Sequence, residues 1–182
     1  MGQIVAMRFS GQTDASIAML RLRRCTPQAL GVQTALSISF DKSQKATVEQ
    51  LVDPLDLEDY RWSLFWIGLL YAGQADFLAE NFPLEVMHQV PLLFLERAWW
   101  TEDINISSGF LNDIQVLLYS RDASILMALC EGDDIPLMSA GGPQPDTTVC
   151  QDVSTEKMQA IQKIIHRATT STLSHLSRGI EE

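Results

Sequence analysis

Trp62-Ser63-Leu64-Phe65-Trp66-Ile67-Gly68-Leu69-Leu70-Tyr71-Ala72 carries two of the four tryptophans and no charge, in a chain where 20% of residues are charged. Just upstream lies Leu55-Asp56-Leu57-Glu58-Asp59-Tyr60. Asp56 suits an N-cap, the acids after it suit the positive end of a helix dipole, and Leu55 can staple onto Tyr60. The stretch predicts a helix from about Leu57 to Tyr71, with an extension toward Phe82 past a weak point at Gly73. Apolar residues cover its whole circumference, the pattern of a central buried helix rather than a surface one. It falls short of the ~20 apolar residues that a bilayer span requires, so no membrane contact is expected.

Upstream of this helix the sequence reads as β-structure. Val32 to Phe40 alternates, which places Val32, Leu36, Ile38 and Phe40 on one face. Ser16 to Arg24 alternates as well, with Ala18, Leu20 and Leu22 inward and Arg21 and Arg23 outward. A capped helix over Asp14 to Cys25 fits the same residues. Ile4 to Phe9 supplies a further strand, and the turn-rich separators 10–14 and 26–31 make the three an N-terminal antiparallel β-meander. Thr47 to Val52 reads as one or two helical turns before Asp53-Pro54.

Downstream, Asn81-Phe82-Pro83 ends the central helix, because proline cannot continue the ladder and pushes the residue before it toward extended backbone. Leu84 to Gln89 reads as a short helix. Pro91 to Glu96 is an apolar run that serves either as a strand or as a helix running on into Trp99-Trp100. Thr101 to Gly109 is turn-like. Ile114 to Tyr119 and Ile125 to Leu129 read as short strands, and Glu131-Gly132-Asp133-Asp134 as a tight turn into Ile135 to Met138. Residues 139–151 hold two glycines, two prolines and no periodicity, the character of a mobile linker. A C-terminal amphipathic helix over 153–178 follows, capped by Ser154 and stapled from Val153 to Met158. Its apolar stripe is Met158, Ile161, Ile165, Ala168, Thr172 and Leu176. The expected whole is a single α+β domain over residues 1–182, a length that fits one domain with a substantial core.

Charge is distributed unevenly along the chain. From Met1 to Lys45 six Lys/Arg face two acids, a surplus of +4. From Ala46 to Asp152 three Lys/Arg face eighteen acids, a surplus of −15. From Val153 onward four face three, which completes the net −10. Nucleic acid is not expected as a partner for a surface of this sign. The three cysteines, Cys25, Cys130 and Cys150, lie far apart, and Met1 to Phe9 shows neither a basic start nor a long apolar run. Free thiols in a reducing, cytoplasmic setting are therefore expected.

Motifs for chemistry are sparse. His166 and His175 point to different faces of one helix, and neither His88 nor any cysteine sits at metal-ligand spacing, so no metal or cofactor is expected. Asp133-Asp134 lacks the alternating ligands of a calcium loop, and there is no phosphate-cradling glycine loop or nucleophile elbow. Trp99-Trp100 before Thr101-Glu102-Asp103 is the most suggestive feature, an aromatic anchor beside a charged rim. These features favour a non-enzymatic module that masks a basic protein partner through an acidic face. That character of composition is shared with immunity proteins, antitoxins and dedicated secretion chaperones. The residues expected to touch the partner are Glu58, Asp59, Trp99, Trp100, Glu102, Asp103, Glu131, Asp133 and Asp134. The alternatives are a small enzyme or ligand-binding protein that uses scattered carboxylates with His88 or Cys130, and a subunit of a larger assembly, including a homo-oligomer.

Overall fold

The computed structural model describes residues 1–24, 31–51, 62–82, 84–131 and 142–165. Strands β1 (Gly2–Phe9), β2 (Val32–Phe40), β3 (Ala46–Leu51), β4 (Ser124–Glu131) and β5 (Thr147–Val153) form one five-stranded sheet in the order β3-β2-β4-β1-β5. Every neighbouring pair is antiparallel. With the helices on its two faces, this sheet makes an α+β fold. The central strands β1 and β4 read as near-continuous apolar runs because both of their faces are covered.

One face of the sheet carries a single described helix, α1 (Asp14–Arg24). Ala15, Met19 and Leu22 of α1 are buried against Val5, Met7, Phe9, Leu126, Ala128 and Cys130. The strand reading of Ser16 to Arg24 is therefore corrected to the helical alternative. Ala15, Met19 and Leu22 form a stripe of helical spacing, Asp14 stands in the first turn, and three arginines stand in the last, all in keeping with the helix dipole. The meander loses its middle strand, and β1 and β2 are separated by β4. A buried hydroxyl fastens the helix to the sheet: Ser124 Oγ accepts from the Ala15 N–H at 2.9 Å and donates to the Gly11 carbonyl at 2.6 Å.

The other face carries the helical layer. Here α2 (Leu64–Gly73) has nine buried residues and is the centre of the larger core, as its all-round apolar sequence requires. It begins later than the sequence suggested. Trp62 and Ser63 are not helical, Ser63 is the N-cap, and the proposed cap at Asp56 lies outside the described residues. The extension toward Phe82 is broken at Gln74 (φ −152°, ψ 88°) and resumes as α3 (Ala75–Asn81). Phe82 then turns extended (φ −120°, ψ 143°), as expected of a residue before proline. The short helix α4 (Leu84–Gln89) is where the sequence placed it.

Residues 91–100 take the helical alternative, as α5 (Leu92–Leu95) and the start of a π-helix over Trp99–Asp103. Ile114 to Tyr119 is not a strand but the end of α6 (Ser108–Tyr119), whose N-cap Ser107 Oγ accepts from the Phe110 N–H at 3.1 Å. Of Thr47 to Val52, read as helical turns, Thr47 to Leu51 is instead in the edge strand β3, and Val52 lies outside the described residues. The linker read over 139–151 is corrected from Thr147 onward, where β5 pairs with β1. A strand at a sheet edge has no strict apolar alternation to betray it. The C-terminal helix appears as α7 (Thr155–Ile165), with Ser154 Oγ accepting from the Lys157 N–H at 3.3 Å and Val153 and Met158 in the same core. Its proposed continuation to 178, and the turn and strand over 132–138, lie outside the described residues.

One register irregularity refines the face assignment in β2. Leu36, Ile38 and Phe40 share the helical-layer core as expected, but Val32 joins the α1 side. The register shifts between Val32 and Thr34, and a bulge there moves the residues before it to the opposite face. Thr34 puts the irregularity to use. Its hydroxyl accepts from the Trp66 indole N–H at 3.0 Å and donates to the Leu51 carbonyl at 2.9 Å, which satisfies the buried indole.

Candidate functional site

Between Leu64 and Tyr119 the chain holds one Lys/Arg, Arg97. The acids Asp76, Glu80, Glu96, Glu102, Asp103 and Asp113 all stand exposed in that span. Arg97 is exposed too and donates to Asn112 Oδ1 at 2.6 Å and to the Ser108 carbonyl at 3.2 Å, neutral acceptors that leave its charge in place. On the opposite side of the sheet, α1 carries Asp14 against Arg21, Arg23 and Arg24. The charge asymmetry of the sequence thus places the acidic span 64–119 and the basic end of α1 on opposite sides of the sheet, although α7 adds Lys157 and Lys163 to the helical side.

Within the acidic layer, residues 92–103 bring several candidates together. Trp99 is half-buried, its ring centroid 4.9 Å from Phe94 and 5.1 Å from Trp100. Glu102 and Asp103 are exposed in the same π-helix, which is closed by the Ile104 N–H donating to the Trp99 carbonyl at 3.1 Å. Short π segments of this kind are rare and recur at functional sites. The expectation for Trp100 is corrected. It is 0% exposed, its indole N–H donates to the Phe94 carbonyl at 2.9 Å, and it offers no surface to a partner. A helical turn rather than a strand here puts the two adjacent rings at different depths. Missed by sequence reasoning were Leu92 and Leu93, 78% and 48% exposed in the same segment. Their signal was present, since a helix of four residues flanked by Pro91 and Glu96 can turn only part of Leu92-Leu93-Phe94-Leu95 inward.

The other candidates do not join this group. Glu131 stands exposed at the end of β4, accepts from the Gln33 side-chain amide, and borders an open cleft of mixed lining with Met1, Thr155, Met158, Gln159 and Gln162. Glu58, Asp59, Asp133 and Asp134 lie outside the described residues.

For the enzymatic alternative the geometry is unfavourable. Cys130 is buried on the α1 side of the sheet, whereas His88 is exposed on α4 of the helical layer, so the two cannot act as a nucleophile and base. Burial first, and the neighbouring Cys150 second, push the Cys130 thiol up to about 11, the opposite of what a reactive thiolate needs. Cys130 and Cys150 are both free and sit on strands that flank β1, opposite Gln3 and Val5, too far apart to bridge. Among the described residues no group of three or more His, Cys, Asp or Glu is placed to hold a metal ion, and no helix is long and apolar enough to cross a membrane. Comparison with protein-family models, with curated proteins and with solved structures finds no match to this chain.

Proposed function

We propose that the protein is a non-enzymatic binding module whose acidic helical layer docks and masks a basic protein partner. The observation that carries this reading is the segment 92–103. There the exposed Leu92 and Leu93, the half-buried Trp99 and the exposed Glu96, Glu102 and Asp103 share one short segment, whose one Arg, Arg97, donates to Asn112 and Ser108. An apolar centre with a predominantly acidic rim has the anatomy of a protein contact: the apolar groups hold the partner and the rim steers it. This is the same character of composition that immunity proteins, antitoxins and secretion chaperones have, and the analogy reaches no further than that.

The test is a pull-down with the purified protein, followed by binding kinetics of the recovered partner at two salt concentrations. Raising ionic strength from ~0.05 to ~0.5 M shortens the Debye length from roughly 14 to 4 Å and should slow association by about tenfold or more. Reversal of Glu102 and Asp103 to Lys should act mainly on the association rate, and Trp99→Ala mainly on dissociation. Kinetics indifferent to salt, or recovery of no basic protein, would reject the masking reading.

A further inference from the structure

The face opposite the acidic layer has a matching form. On α1, Ile17 and Leu20 are 40% and 48% exposed, although the helix buries Ala15, Met19 and Leu22 beneath them. They stand three apart, on one side of the helix, and Arg24 continues that side one turn further on. Arg23 is exposed beside them and donates to the Gln50 carbonyl at 3.3 Å, which leaves its positive charge at the surface. The acidic layer offers the converse, with Leu92 and Leu93 exposed on α5 and Glu96, Glu102 and Asp103 exposed in the same segment, Arg97 among them. Each surface is an exposed aliphatic pair beside charge that is mainly of one sign, positive on α1 with Asp14 as the exception and negative on 92–103 with Arg97 as the exception.

The sheet separates the two surfaces, so they cannot meet within one molecule. We propose that a second copy of this chain supplies the contact, with the α1 face of one copy docking on the 92–103 face of the next. The inference rests on the acidic layer being a docking face, and it names the chain's own basic layer as an occupant. Charge decides the geometry. Pairing two acidic layers or two α1 faces would set like charges together, at a cost that disfavours a two-fold contact. Pairing unlike faces brings Arg23 and Arg24 to Glu96, Glu102 and Asp103 while covering four exposed aliphatic side chains. Such a contact is head-to-tail and leaves one free face at each end, so it adds further copies rather than stopping at two.

Sedimentation velocity of the whole chain over a concentration series, at ~0.02 and ~0.5 M salt, tests this. The wild-type mass should rise past that of a dimer as concentration increases, and association should weaken about tenfold or more at the higher salt. Ile17→Glu with Leu20→Glu blocks the α1 face, and Leu92→Lys with Leu93→Lys blocks the other. Each double variant alone should remain monomeric. Mixed in equal amounts, each still presents the face that the other lacks, so the mixture should form a one-to-one dimer and go no further. Should far-UV circular dichroism show either variant unfolded, Arg24→Glu and Glu102→Lys with Asp103→Lys replace them. A wild type that stays monomeric throughout, or a mixture that stays monomeric while the wild type associates, overturns the proposal. A monomeric wild type that still binds a basic protein in a salt-dependent way would overturn this inference alone and leave the masking function standing.

Discussion

Gly68 lies in the middle of α2, where glycine costs a helix ~1 kcal/mol relative to alanine. Its place is explained by what passes over it. A Cβ there would lie 2.8 Å from Trp100 Cζ2 and 3.0 Å from the Phe94 carbonyl oxygen. The Trp100 ring, wedged between Phe65 and Trp99, has no room to retreat. Gly68→Ala should therefore destabilise by about 1–3 kcal/mol in spite of its better helix propensity, with overpacking outweighing the backbone gain. Urea denaturation reads this directly, and an unchanged or raised midpoint would mean that the indole can shift aside. At this scale the sequence identified Trp66 as core from its neighbours alone. It could not assign the two rings of Trp99-Trp100, because which indole is buried depends on the twist of a π-helix that no local periodicity announces.

Among the elements, α1 shows how a correct stripe can be read with the wrong period. Ala18, Leu20 and Leu22 alternate as a strand would, yet Ala15, Met19 and Leu22 are the ones buried, and Leu20 is left in solvent. Besides this apolar stripe, the start of the helix is pinned to the sheet by a polar contact distant in sequence, the Ser124 hydroxyl bonded to Ala15 and Gly11. Ser124→Ala should strand a buried N–H and leave a carbonyl short of its donor, a loss of about 1–3 kcal/mol. Hydrogen exchange should then show the α1 amides opening first, ahead of those of β4. Equal acceleration everywhere would mean that the hydroxyl is not the fastening. The same limit explains α6 and β5. Ile114 to Tyr119 is too short an apolar run to separate strand from helix, and β5 is an edge strand whose exposure alternates only weakly. The strands β2 and β4 and the helices α2, α4 and α7 were legible because their apolar pattern is strong or their caps are local.

For the molecule as a whole, one sheet serves two apolar layers, and this makes their unfolding interdependent. All four tryptophans belong to the helical side, as Trp66 and Trp100 within its core and Trp62 and Trp99 packed against it. Tryptophan fluorescence therefore reports that side, while far-UV circular dichroism reports every element. The two transitions should coincide in urea, as a shared sheet requires. A dichroism change that fluorescence does not follow would show the α1 layer melting by itself. The strand order also has a consequence in time. β1 lies between β4 and β5, so none of its partners is synthesised before Ser124 and the last of them is Val153. The apolar run Ile4-Val5-Ala6-Met7 must wait on the ribosome for most of the chain to emerge, and closing such long loops is slow. The newborn protein thus passes its most aggregation-prone interval with this strand unpaired, and any factor that shelters an extended apolar segment would act on it then.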